Sequence, residues 1–172
     1  TMTTSRSGWG SESSNRRPLS PEEQQSERER MHDMVREFAK HVVKGMHGHL
    51  LIPGGALHPC TYAFDKALRV FTVQVDGEPT LQFELAQVVE VKKDLRGTPF
   101  AALMDLPPPH AVSGEQLKKR AVSLFYRSQK QDQEVLVLLL PQQYEQERFY
   151  VCMKILRWAL EIEMKPRMNA DI

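Results

Sequence analysis

The chain has almost no cysteine, no long apolar run and no surplus of charge, and each shortage removes a class of protein. Its two cysteines, Cys60 and Cys152, stand far apart in the 172 residues and build no disulfide framework, which points to a reducing compartment. The longest apolar run, Val135 to Leu140, falls well short of the roughly 20 residues that span a bilayer. Lysine and arginine number 23 against 22 aspartate and glutamate. A formal net charge of +1 excludes a general nucleic-acid binder, whose footprint is strongly basic. No secretory signal is visible, and the opening Thr1-Met2-Thr3-Thr4 suggests a trimmed or altered start that would hide any signal upstream.

What is present changes character along the chain. Residues 1–19 are mostly Ser, Thr, Gly, Asn, Arg and Pro, too poor in apolar anchors to offset their ordering entropy, and a disordered tail is expected there. Ser20-Pro21-Glu22-Glu23 then carries a helix start: a serine cap, a proline at the first helical position, and a glutamate three residues after the cap. Met31, Met34, Val35, Phe38 and Val42 follow at helical spacing, and Gly45 supplies a stop, so 20–45 is predicted as an N-terminal helical segment. From His47 short β-type runs take over: His47–Ile52, Leu57–Phe64, Leu68–Val75, Thr80–Leu85 and Val88–Lys93. Asp76-Gly77, set between β-branched and aromatic residues, is a specific hairpin signal. Leu68, Val70, Thr72 and Gln74 alternate with Arg69, Phe71, Val73 and Val75, which predicts one face drier than the other.

Residues 94–120, with Gly97, Pro99, Pro107-Pro108-Pro109 and Gly114, read as a long excursion, uncommon in compact domains unless functional or mobile. Two strands follow, Ala121–Arg127 and Glu134–Leu140, and Pro141 ends the second. Phe149, Val151, Cys152, Ile155, Leu156, Ala159, Leu160 and Ile162 mark a closing helix from Gln142 to Glu163, leaving 164–172 as a C-terminal tail. The class is thus mostly β with flanking helices. Its core would be a seven-stranded antiparallel sandwich over 46–163, capped by the C-terminal helix.

That order resembles the pleckstrin-homology (PH) fold. Leu81-Gln82-Phe83-Glu84-Leu85-Ala86-Gln87-Val88-Val89-Glu90-Val91 is similar to its strand-four-to-five corner, and Glu147-Arg148-Phe149 to the start of its last helix, where the family's usual tryptophan falls near Phe149. The long leading helix and the Asp171-Ile172 end resemble the small acylated PH-domain proteins of apicomplexan parasites. That group includes a microneme-associated phosphatidic acid sensor and the inner membrane complex sub-compartment proteins. The resemblance implies a cytoplasmic, peripheral membrane protein on the cytosolic face of microneme or inner membrane complex. It also implies myristoyl and palmitoyl anchors on an N-terminal Gly and Cys, neither of which stands in residues 1–7, and a part in secretory organelle exocytosis.

The chemistry expected is binding. The first hairpin, Leu50 to Pro59, holds no Lys or Arg, so the inositol-phosphate clamp of many PH domains is not expected. Phosphatidic acid, with one phosphomonoester near the bilayer surface, asks for fewer donors. Lys92, Lys93 and Arg96, with Arg127 and Lys130, are the candidate lipid-binding residues; Lys118-Lys119-Arg120 is a third basic group. His47, His49, His58 and Cys60 lack zinc-ligand spacing, and no serine elbow or phosphate-binding glycine loop occurs, so no metal, cofactor or catalytic residue is expected. The alternative is a scaffold of the inner membrane complex without headgroup specificity. It would dock a protein partner on the open sandwich corner, or on an N-terminal helix face of Met31, Met34, Val35 and Phe38.

Overall fold

The structure, a computed structural model, describes residues 17–105 and 112–170. The expected tail over 1–19 lies almost wholly outside the described residues, as does the proline triplet at 107–109. The described residues fall into two compact units that divide between Asp33 and Met34.

The first unit holds the start of helix α1, Pro21–Val42. Its cap is the reciprocal box that the sequence predicts. The Glu23 N–H donates to Ser20 Oγ at 3.1 Å, and the Ser20 N–H donates to Glu23 Oε2 at 3.0 Å. The second unit contains the rest of α1 and everything after it. Phe38 and Val42 are buried, and Met34 and Val35 pack against the same cluster. The face of α1 from Met34 onward therefore belongs to the core and is not offered to a partner, which corrects that part of the scaffold expectation. Gly45 turns the chain out of the helix with φ at 101°, a conformation that glycine adopts without penalty.

The strands are β1 Met46–Leu51, β2 Leu57–Phe64, β3 Val70–Val75, β4 Leu81–Glu84, β5 Val88–Lys93, β6 Ala121–Arg127 and β7 Gln133–Leu139. They form one antiparallel sheet in the order β4-β3-β2-β1-β7-β6-β5. The two halves of this sheet meet through only two residue pairs, His49 with Leu139 and Leu50 with Leu138. A 3-10 turn, Leu85–Gln87, carries the chain from β4 to β5 at the other side. Gln87 pins it there, its side-chain amide donating to the Arg127 carbonyl at 2.8 Å and its oxygen accepting from the Glu84 N–H at 2.8 Å. Since β4 and β5 do not pair, the sandwich stays open at that corner.

Helix α3, Gln143–Ala170, closes the corner. Phe149 is buried against rings from three elements: Phe38 of α1 at 5.9 Å, Tyr62 of β2 at 5.6 Å and Phe71 of β3 at 6.2 Å, all edge to face. Gln146 anchors the same end, its amide donating to the carbonyls of Lys118 and Ala121, both at 2.8 Å. α3 continues past Glu163, through residues placed in the C-terminal tail by the sequence pattern. Once packing has nucleated a helix, each further turn adds a backbone hydrogen bond per residue at little cost.

The excursion 94–120 departs from its reading as a loop. It contains a 3-10 turn, Ala101–Asp105, and a short helix α2, Gly114–Arg120. Its residues Leu95 and Leu117 are buried with Leu51, Ala121, Val137 and Leu139 in a second apolar cluster. With this cluster on one face and the main core on the other, β6 is buried from Ala121 to Tyr126 without alternation. α2 and the 3-10 turn approach so closely that a Cβ on Gly114 would stand 1.9 Å from the Met104 carbonyl oxygen.

Two stability outcomes follow. Phe149→Ala empties the centre of the plug and should lower the unfolding free energy by about 3–5 kcal/mol in a urea titration. Gly114→Ala should lower it by about 1–3 kcal/mol, since backbone rather than a side chain must move; an unchanged midpoint would contradict the packing.

Candidate functional site

β5 is an edge strand, and α3 lies beside it. The space between them is an open cleft of about 530 Å³ lined by Glu90, Val91, Lys92, Lys93, Asp94, Arg96, Tyr150, Lys154 and Arg157. Five of these nine side chains are basic and two acidic, so the cleft is locally positive in a chain whose total charge is +1. Lys92 and Lys93 come from the end of β5. Arg96 comes from the turn beyond it, where Asp94 takes φ of 85° and Gly97 φ of 78°. Aspartate tolerates the left-handed region by bonding locally, and here Asp94 Oδ1 accepts from the Arg96 N–H at 2.8 Å. The Asp94 N–H donates to the Ala121 carbonyl at 3.0 Å, and the Ser123 hydroxyl donates to the Asp94 carbonyl.

The α3 wall supplies Tyr150, Lys154 and Arg157, spaced i, i+4 and i+7, hence on one helix face. Lys93 Nζ lies 4.8 Å from the Tyr150 ring centroid and Lys154 Nζ 4.7 Å from it. Lys154 also donates to the Tyr150 hydroxyl at 3.0 Å. Lys92 sits over Phe125 at 5.1 Å. Four of the five cations have an acidic neighbour within reach. Lys93 contacts Glu147, Lys92 lies 3.9 Å from Glu90, Arg96 3.1 Å from Asp94, and Arg157 3.9 Å from Glu161. These pairs are partly exposed and worth about 0–1 kcal/mol each, so an incoming anion can displace them at small cost.

Of the sequence-predicted set, Lys92, Lys93 and Arg96 converge on this cleft. Arg127 and Lys130 do not. In the β5–β6 register Lys92 faces Ser123, which puts Arg127 four residues further on, about 13 Å along the strand. Lys130 lies beyond it in the turn to β7. One phosphate cannot be shared over that distance. Sequence reasoning missed Tyr150, Lys154 and Arg157, although their i, i+4, i+7 spacing was available. In the third basic group Arg120 is structural, its Nε donating to the Leu140 carbonyl at 2.7 Å, while Lys119 makes an exposed pair with Glu115 at 3.3 Å. Among the described residues no group of three or more His, Cys, Asp or Glu is placed to hold a metal ion, and no helix is long and apolar enough to cross a membrane.

No protein-family model and no curated protein matches the chain. Solved structures do. Inner Membrane Complex Sub-compartment Protein 1 from Toxoplasma gondii superimposes with a TM-score of 0.52 at 11% identity, over 73% of this chain and 91% of that one. PLC21 of S. officinalis gives 0.52 at 13% identity over 69% of this chain, and PLC21 of L. pealei 0.51 at 10% over 70%. This chain spans only 16% of either PLC21 chain. Likeness at such identities is likeness of fold.

The fold is PH-like. Within the PH-like domain the β1–β2 hairpin turns at Pro53-Gly54-Gly55, where Gly54 and Gly55 take φ of 95° and 87°, and no Lys or Arg stands in it. The positive charge has gathered at the β5–α3 cleft instead. Both thiols are buried. Burial pushes the Cys60 and Cys152 thiols up to about 11, because a thiolate would be stranded in apolar surroundings. A thiol reagent at pH 8 should leave both unmodified in the folded chain and modify both in urea. Stoichiometric labelling of the folded chain near neutral pH would contradict their burial.

Proposed function

We propose that the chain is a membrane-recruited, lipid-binding adaptor whose PH-like domain receives the phosphomonoester of an anionic phospholipid, phosphatidic acid, in the β5–α3 cleft. The observation that carries this reading is the approach of Lys93 and Lys154 to one ring, Tyr150, at 4.8 and 4.7 Å. Two ammonium groups that close to one ring repel each other, and Lys93 is offset only by a partly exposed Glu147, so a phosphate received beside the ring would relieve both cations. Lys92, Arg96 and Arg157 border the same space and widen the set of donors. The role is binding rather than catalysis.

The affinity such a site supplies is modest. Each basic residue near an anionic surface contributes on the order of 1 kcal/mol, so three add roughly a hundredfold in partitioning. A single myristoyl chain binds membranes only marginally, with a constant of about 10⁴ M⁻¹. Anchor and cleft together would act as a coincidence detector, and peripheral attachment of this kind is what control of organelle exocytosis at a membrane face requires. The acyl anchor and the exocytic role rest on the apicomplexan resemblance; the headgroup contact rests on the cleft.

Co-sedimentation with phosphatidylcholine vesicles, with and without phosphatidic acid, tests the reading. Binding should require phosphatidic acid and fall about tenfold or more in Lys93→Glu and in Lys154→Glu. Arg127→Glu should change it little. Equal binding to both vesicle types, or none, would overturn the lipid reading and favour a protein-docking scaffold.

A further inference from the structure

The solvent face of α3 beside the cleft carries large apolar side chains that the core does not use. Trp158 is 64% exposed and Ile162 45%, one and two turns on from Lys154 on the same face. Met164, 44% exposed, borders a neighbouring apolar hollow of about 330 Å³ with Leu85, Ala86, Val88 and Leu160. Arg157 lines both this hollow and the basic cleft, so the two are continuous along α3. Val89, at 38%, stands exposed on the facing edge strand. The acidic groups on this stretch already have partners: Glu161 lies 3.9 Å from Arg157, and Glu163 accepts from Arg69 at 2.7 Å.

Isolated exposed apolar residues need no explanation, but a group of them rimmed by cations does. Charge complementarity settles the occupant. An apolar partner surface would offer the five cleft cations nothing beyond their weak, partly exposed internal pairs, whereas an anionic bilayer meets both halves: headgroup phosphates for the cations and the acyl boundary for the apolar tips. Tryptophan favours that boundary, where its ring is buried and its edge stays hydrated.

We propose that Trp158 and Ile162 form a wedge that enters the acyl boundary of an anionic membrane while the adjacent cleft holds the headgroup, so that the domain docks with this face of α3 against the bilayer. This rests on the lipid reading above and adds an orientation and an insertion step to it.

The test uses the whole chain with Trp9→Phe, which leaves Trp158 as the sole tryptophan of the two. Its emission is followed as vesicles of phosphatidylcholine with phosphatidic acid are added, with ordinary or brominated acyl chains. A blue shift, about twofold or greater quenching by the brominated chains, and an approximately tenfold loss of partitioning in Trp158→Ala with partial recovery in Trp158→Phe are expected. Co-sedimentation with unchanged emission would overturn the wedge while leaving the headgroup reading standing. Absence of co-sedimentation would remove both. A shift that grows with protein concentration in the absence of vesicles would assign this face to a second copy of the chain and also overturn the proposal.

Discussion

The ring of Phe149 meets Phe38, Tyr62 and Phe71, and through them it ties the closing helix to α1, β2 and β3 at once. The sheet needs that plug because its halves are joined by two residue pairs at one side and by none at the other. The contact also sets the rotation of α3. With Phe149, Cys152, Met153 and Leu160 turned into the core, the 3.6-residue period leaves Tyr150, Lys154 and Arg157 on a flank facing β5. It leaves Trp158 and Ile162 turned to solvent. One aromatic contact in the interior thus decides which side chains face the cleft and which face outward.

A near-neutral total charge conceals this arrangement. The chain is balanced over its length, yet the β5–α3 cleft gathers five basic side chains from three separate stretches: the end of β5, the Asp94–Gly97 turn and the middle of α3. The ion pairs of Lys92 and Lys93 are partly exposed and worth little, which is compatible with the proposed anion site. Two of the cations approach the Tyr150 ring closely enough for cation–π attraction.

Much of the framework was legible in residues. Ser20 and Glu23 announce the helix start that their hydrogen bonds confirm, and Asp76-Gly77 falls between β3 and β4. Strand limits agree within one or two residues because alternation and turn chemistry are local signals. The excursion was not legible. Gly97, Pro99 and Gly114 read as loop punctuation, while Leu95 and Leu117, far apart in sequence, pack only once the sheet exists beneath them. The site divides in the same way. Lys92, Lys93 and Arg96 form a visible cluster, but Lys154 and Arg157 hide in a helix whose apolar stripe draws attention to its other face. Arg127 and Lys130 looked equivalent to the rest until the β5–β6 register separated them.

The central proposal is that an anion is received at the β5–α3 cleft and not at the β1–β2 hairpin. Amide chemical-shift mapping during titration with a short-chain, water-soluble phosphatidic acid tests it most directly. The account predicts perturbations concentrated at Lys92–Gly97 and Tyr150–Trp158, saturable, and absent with the uncharged diacylglycerol of the same chain length. Perturbations centred on Ile52–Leu57, with the cleft unmoved, would contradict it.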